Sequence, residues 1–199
     1  ANCYLVWDDD LRACAIDPGG EPDRLSGIVR QEGLTLDAIL VTHGHLDHVE
    51  GVKGLSDATE AVVYCSQGVV PVLKGAKDCS ATGLAVPAVD AERLETVSDG
   101  SALSIGALRV TVIATPGHTP ADITFEIKEH LFPGDLLFHR SVGRTDFPGG
   151  DFAELLASVR RLTERYPADT PVHPGHMQST TLGEELAMNP FLGGLGVHG

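Results

Sequence analysis

No run of 18 apolar residues occurs anywhere in the chain, and no signal-peptide pattern opens it. The first absence excludes a membrane-spanning helix, and together they make a cytoplasmic location the expectation. Basic residues are scarce: 14 Lys and Arg stand against 28 Asp and Glu, for a net charge of −14 with His neutral. With no basic stretch to neutralise phosphates, neither nucleic acid nor an anionic membrane is expected as a partner. Most of the carboxylates read as solvated surface. Cysteine is sparse as well. The four, Cys3, Cys14, Cys65 and Cys79, are widely spaced and form no C-x-x-C pair, which argues against a disulfide framework. Cys3, Cys14 and Cys65 lie in or beside apolar runs and are expected as buried reduced thiols. Cys79, in the polar stretch Lys77-Asp78-Cys79-Ser80, is expected at the surface. No G-x-S-x-G is present, so Ser101, Ser104 and Ser141 have no nucleophile elbow and a Ser-His-Asp hydrolase is disfavoured.

What is present suits a soluble globular protein: 199 residues, 42% apolar and 21% charged. A chain of this length buries roughly 70% of its unfolded surface without staples, so any metal is read as functional rather than structural. The pattern is β-rich. Asn2–Trp7 and Arg12–Ile16 flank Asp8-Asp9-Asp10 and read as a hairpin, and Pro18-Gly19-Gly20 breaks the chain. Asp23–Gln31 reads as an amphipathic helix, with Gly33 just past its end. Ala38–Val41 and Ala61–Cys65 read as strands with a short helix, Val49–Leu55, between them. Residues 68–89 give no clear pattern. Strands are then expected at Arg93–Val97, Ala102–Ile105, Leu108–Ala114, Ile123–Ile127 and His130–Phe132. The plainest helix is Ala153–Arg165, and Thr181–Ala187 is the last. Two β-rich stretches, each followed by helices, predict an α/β (α+β) fold of two packed sheets covered by helices, a four-layer αββα sandwich.

Chemistry concentrates in Thr42-His43-Gly44-His45-Leu46-Asp47-His48, directly after a strand. Residues two apart in an extended segment point the same way, so His43 and His45 can grip one ion. As the chain turns into a helix, Asp47 and His48 can aim at a neighbouring position. Three imidazoles and a carboxylate at this density favour a metal over ordinary loop polarity. Three later segments repeat the context of a short apolar run ending in a Gly-containing turn: Thr115-Pro116-Gly117-His118, Gly134-Asp135 and Pro174-Gly175-His176. Strand-end loops converge on one edge of a sandwich, so these add His118, Asp135 and His176. Seven ligands suffice for two adjacent ions sharing Asp135. His139 and His173 are read as outer or surface residues, and His130 and His198 as incidental.

The ordered set T-H-G-H-L-D-H, T-P-G-H-T, G-D-L-L-F and P-G-H resembles the metallo-β-lactamase superfamily over most of the chain. Within it the chain resembles the glyoxalase II (hydroxyacylglutathione hydrolase) branch, through Gly44, the run Ser141-Val142-Gly143-Arg144-Thr145-Asp146-Phe147, and the ending Thr180–Glu185 to Asn189-Pro190-Phe191. The resemblance implies the αββα fold. It also implies His43, His45, His118 and Asp135 at one metal, with Asp47, His48, Asp135 and His176 at the other. Full-length glyoxalase II enzymes carry a further C-terminal helical domain. The chain stops shortly after Phe191 and resembles the short form, a single domain over 1–199.

Two divalent ions, with Zn expected and Fe or Mn as alternatives, would hold a bridging hydroxide and polarise a carbonyl. Asp47 would orient that hydroxide or take its proton. A thioester expels a thiolate whose parent thiol has a pKa near ~8.5, so no dedicated general acid is required. The resemblance to glyoxalase II, whose members carry a cationic residue in this loop, implies Arg144 as the anchor for a substrate carboxylate, with a structural pairing to Asp146 or Asp151 as its other reading. The expected reaction is hydrolysis of a small thiol-linked substrate such as S-D-lactoylglutathione. Two alternatives stay open. One is a persulfide dioxygenase using a single iron on His43, His118 and Asp135 and acting on glutathione persulfide; the other is a catalytically silent metal-binding relative.

Overall fold

The turn at Asp8 is built by its own side chain: Asp8 Oδ1 accepts from the backbone N–H of Asp10 (3.0 Å) and Arg12 (2.9 Å), a local bond typical of Asp at turns. It closes an antiparallel hairpin of β1 (Tyr4–Trp7) and β2 (Arg12–Ile16). The computed structural model describes residues 1–76 and 83–193, so Cys79 and His198 lie outside the described residues. After β2 come α1 (Pro22–Gln31), β3 (Thr35–Leu40), α2 (Leu46–Val49), α3 (Val52–Thr59), β4 (Val62–Ser66), α4 (Val70–Leu73) and β5 (Leu94–Val97). β1 to β5 form one sheet in sequence order, and β2 through β5 are parallel. Parallel neighbours need crossover connections, and α1, α2 with α3, and α4 supply them.

The second half contributes β6 (Ala102–Ile105), β7 (Leu108–Ala114), β8 (Ile123–Ile127), β9 (His130–Gly134), the short hairpin β10 (Leu137–Phe138) and β11 (Ser141–Val142), α5 (Phe152–Arg165), β12 (Pro171–Pro174), β13 (Thr180–Thr181) and α6 (Leu182–Met188). Its six-stranded sheet runs β13-β12-β9-β8-β7-β6. α5 begins where Asp151 accepts from the Glu154 N–H (3.0 Å), an N-cap that satisfies an otherwise unpaired donor. Its buried face is Leu155, Val159 and Leu162, spaced to lie along one stripe.

Three apolar clusters separate four layers. On β2, Ala13 and Ala15 face α1 and α3, while Cys14 and Ile16 face the opposite sheet. This alternation follows from the two-residue period of a strand. Ile16 and Leu40 meet Val110, Val112, Phe125 and Ile127 between the sheets. Ile113, Leu131 and Val172 pack outward against α5 and α6 through Leu155, Val159 and Leu182. The architecture is the expected αββα sandwich.

Several boundaries differ from expectation. The helix expected at Val49–Leu55 is two helices, α2 and α3, broken at Glu50-Gly51, where the Gly51 N–H donates to the Pro18 carbonyl (2.9 Å). A β-carbon on Gly51 would lie 2.6 Å from that oxygen, so the backbones meet at a point only glycine permits. The unreadable stretch contains α4, and the β10–β11 hairpin was not anticipated. Cys14 and Cys65 are buried as expected, but Cys3 is only part-buried and lines the central cleft.

Candidate metal centre

Every expected ligand follows the carboxyl end of a strand. β3 delivers His43, His45, Asp47 and His48; β7 delivers His118; β9 delivers Asp135; and β12 delivers His176. β7 and β9 are each antiparallel to β8, and β12 is parallel to β9, so all three end at the same edge of their sheet. The two sheets are pinned together there. Ile123 N–H donates to the Thr42 carbonyl (3.1 Å), and Gly134, at φ 56°, sits so close to Thr42 that a β-carbon would lie 2.3 Å from its Oγ1.

The convergence produces two groups of side chains whose ligand atoms lie within 4.8 Å of one another: His43, His45 and His118, and Asp47, His48 and His176. Asp135 stands between them. Its Oδ1 is 3.3 Å from His48 Nε2, and its Oδ2 is 3.6 Å from His118 Nε2 and 3.5 Å from His176 Nε2. Asp47 Oδ2 lies 3.1 Å from His176 Nε2 and 3.7 Å from His48 Nε2. His45 Nδ1 and His118 Nε2 are 2.8 Å apart. All seven predicted ligands are thus brought together.

The donor set fits divalent ions on a direct structural test. Among the described residues, buried His43 Nε2, His48 Nε2 and Asp135 Oδ1 have no hydrogen-bond partner, although the Nδ1 atom of each imidazole is held by the protein. A buried polar atom without a partner costs roughly 1–3 kcal/mol, and three of them within one cluster of metal-ligating side chains are explained by electron-pair acceptors there. The outer ring nitrogens are mostly tied down. His43 Nδ1 is 3.0 Å from Thr42 Oγ1, His48 Nδ1 is 2.9 Å from Asp17 Oδ2, and His118 Nδ1 is 2.7 Å from the Arg144 carbonyl. Such partners fix the tautomer and orient the free nitrogen.

Asp17 is the residue that sequence reasoning missed. Its Oδ1 accepts from the Thr42 N–H (2.8 Å), while its Oδ2 accepts from Thr42 Oγ1 (2.6 Å) and His48 Nδ1. One carboxylate therefore orients His48 directly and His43 through Thr42. Asp17 also lies close enough to His43 and His48 to form a third possible ligand group. Its oxygens are already engaged, which leaves it a supporting part. The only sequence signal was an acid between β2 and a Pro-Gly-Gly break.

Burial and the neighbouring imidazoles hold His43 well below the usual imidazole range, and burial with His118 pushes His45 down to about 4. Both are neutral, ready ligands at pH 7. Burial also disfavours a charged His48, but the carboxylates of Asp135 and Asp17 outweigh it and raise the group to about 10. The hydrogen bond to His176 is the largest effect keeping Asp47 well below the ordinary carboxylate range.

A cleft of about 1070 Å³ opens over these groups, walled by Leu25 and Ile28 of α1, Leu46, Phe147 and Met177. Arg144 reaches its rim. Its guanidinium grips Asp146 through two contacts of 2.6 Å and lies 3.9 Å from the centre of the Phe147 ring. The alternative reading of Arg144, a pairing with Asp146, is therefore present in the structure at the mouth of the cleft. Arg140 is turned away: its N–H bonds Glu185 and its guanidinium Glu184. His173 and His130 pair at 2.8 Å beside Phe132, and His139 lies 3.5 Å from Glu185.

Fold and site together define a class: αββα proteins that gather strand-end loops around a His- and Asp-rich centre suited to two metal ions. The profile described as the metallo-beta-lactamase superfamily matches residues 1–176, and the chain belongs to that superfamily. It is 36% identical over 195 residues to the hydroxyacylglutathione hydrolase GloC of Haemophilus influenzae, covering 96% of this chain and 92% of that one. Among solved structures it is similar to the BLEG-1 B3 metallo-beta-lactamase (TM-score 0.86, 36% identity). It is also similar to TTHA1623 in a di-iron-bound form (TM-score 0.83, 40% identity). Each of these two alignments covers 96% of this chain and 94% of the other. The protein is an enzyme of this hydrolase superfamily. Among the described residues no helix is long and apolar enough to cross a membrane.

Proposed function

We propose that the chain is a cytoplasmic metallohydrolase that cleaves a small thioester of the S-D-lactoylglutathione type. The reading rests on one observation above others: two three-residue donor groups meet around Asp135, and three buried atoms of this cluster lack a hydrogen-bond partner among the described residues. In this reading His43, His45, His118 and Asp135 hold one ion, and Asp47, His48, Asp135 and His176 hold the other. Zn is the expected metal, with Fe or Mn as alternatives. Divalent ions in that position supply Lewis acidity and bring the pKa of water toward ~7.

The chain's own groups do the rest. Asp47, ionised and half-exposed at the cleft floor, orients the water or takes its proton. The apolar wall of Leu25, Ile28, Leu46 and Phe147 holds the substrate against the donors and thins the water around the reacting carbonyl. Arg144 anchors a substrate carboxylate at the rim, exchanging its contact with Asp146 for one with the substrate. A thiolate leaves without prior protonation, whereas an amide nitrogen requires a donor, which sets a thioester ahead of a β-lactam on chemical grounds. The name of the Haemophilus influenzae relative, hydroxyacylglutathione hydrolase, supports the glutathione-linked substrate.

Paired assays on the metal-loaded protein test this reading. Turnover of S-D-lactoylglutathione with a kcat/KM at least ~100-fold above that on a cephalosporin is the expected result. Oxygen uptake on glutathione persulfide without thioester cleavage would place the chain with the dioxygenases. Neither activity would make it a silent metal-binding relative.

A further inference from the structure

Of the imidazoles in the cluster, His176 is the most exposed. It is 41% exposed, and among the described residues no hydrogen bond fixes its Nδ1. Its ring meets only the edges of His48 and Phe138, at 5.5 and 5.8 Å between centroids. Apart from the Nε2 contact with Asp47 at 3.1 Å, the position of this imidazole is therefore set by its backbone. That backbone is an irregular loop: Met177, directly after His176, adopts φ 67°, a left-handed conformation that a non-glycine residue keeps only where its surroundings enforce it.

The surroundings that enforce it come from the other end of the chain. The Asn2 N–H donates to the Gly175 carbonyl. Asn2 Nδ2 donates to the carbonyls of Pro174 (3.0 Å) and Met177 (2.8 Å), so one amide spans the loop on both sides of His176. Tyr4 Oη donates to the same Pro174 carbonyl (2.8 Å), and Asn2 Nδ2 lies 3.2 Å from that hydroxyl. The opposite side of the loop is pinned by the Gly175 N–H on the Gly134 carbonyl (2.8 Å). Asn2 and Tyr4 flank the start of β1, at the edge of the first sheet, whereas His176 leaves β12 in the second. The clasp therefore crosses the sandwich.

We infer that Asn2 and Tyr4 are positioning residues for His176, and that they set the affinity of the ion held by Asp47, His48 and His176 without altering the one held by His43, His45 and His118. The inference rests on the two-ion reading above. Neither residue supplies a donor atom; both act by holding the Pro174–Met177 backbone, and with it the imidazole. Removing an outer partner of a metal ligand typically weakens binding by about 10–100-fold, and the effect here should fall on one ion only.

The test is a Co²⁺ titration of metal-free protein, with bound metal counted by mass spectrometry and the visible d–d bands recorded at each step. The variants are Asn2→Asp, which keeps the shape and the backbone bond to Gly175 but abolishes the bonds donated by the side chain, Tyr4→Phe, which keeps the ring against Phe132, and His176→Ala. The wild type is expected to bind two ions. Asn2→Asp and Tyr4→Phe should bind the first with unchanged affinity and spectrum. Asn2→Asp should weaken the second by roughly tenfold or more, and Tyr4→Phe by less. The spectrum of the second ion should shift, a signature that general loosening of the fold would not confine to one ion. Equal loss of both ions, or a second-ion affinity within twofold of wild type in both variants, would overturn the clasp while leaving the two-ion reading intact. A single ion in the wild type, or two ions retained in His176→Ala, would instead overturn the two-ion reading and the clasp with it.

Discussion

Replacing Asp17 with asparagine changes one atom's chemistry at a site where three donors point at a single carboxylate. In the wild type, Thr42 N–H, Thr42 Oγ1–H and His48 Nδ1–H all donate to it, at 2.8, 2.6 and 2.9 Å. The asparagine amide offers one accepting oxygen and turns an NH₂ toward at least one of these donors. One buried donor then loses its acceptor, at roughly 1–3 kcal/mol, and a charge-assisted bond to His48 becomes a neutral one, for about 1 kcal/mol more. A loss of about 2–4 kcal/mol in the metal-free protein is therefore expected from urea unfolding, with the slope against denaturant unchanged. The metal-loaded protein should suffer a second penalty. His48 and His43 lose the groups that aim their Nε2 atoms, so metal affinity should drop by about 10–100-fold. Stability within 0.5 kcal/mol of wild type, with metal affinity unchanged, would refute the assignment of Asp17 as the group that orients both imidazoles.

Three further outcomes follow from the geometry. Gly175→Ala places a β-carbon 2.3 Å from Asp135 Oδ1 and 2.6 Å from His48 Cε1, so it should lower bound metal per chain in elemental analysis; full loading would show that the Asp135 pocket is slack. In the metal-free protein, His48 at about 10 adds stability that is present below about pH 6.5 and lost as the pH rises toward 10, whereas His45 at about 4 subtracts stability as the pH falls from 6.5 toward 4. A Tm profile with its maximum near pH 6.5 is expected, and His48→Gln should flatten the alkaline limb; an unchanged limb would contradict the pairing of His48 with Asp17 and Asp135. Arg144→Ala should raise KM for a carboxylate-bearing thioester by about tenfold with kcat within threefold, in steady-state kinetics. A fall in kcat alone would remove Arg144 from substrate binding.

The legibility of the site in the sequence tracks the distance over which its parts interact. His43 to His48 are contiguous, and each later donor follows a short apolar run and a Gly, so local pattern sufficed to assemble all seven. The αββα layering was readable because two β-rich stretches are each followed by helices and α5 carries an unambiguous apolar stripe. Asp17 escaped notice because a lone acid before Pro18-Gly19-Gly20 looks like turn punctuation, and its partners Thr42 and His48 lie 25 and 31 residues away. The Asn2 clasp spans 172 residues to Pro174, beyond any local pattern. Strands of two residues, as in β10 and β11, are too short to show a period at all, and the break between α2 and α3 depends on where Pro18 comes to rest. Arg144 illustrates a different limit: the family resemblance of its loop pointed to a substrate anchor, but its pairing with Asp146 is a choice among nearby acids that only packing makes.

The central claim is a two-ion hydrolytic centre, and the most direct measurement is thioester turnover during stepwise Zn²⁺ reconstitution of the metal-free protein. Turnover of S-D-lactoylglutathione should reach its plateau at two equivalents of metal per chain and stay absent at any loading in Asp135→Ala. A plateau at one equivalent, or turnover retained without Asp135, would contradict the account.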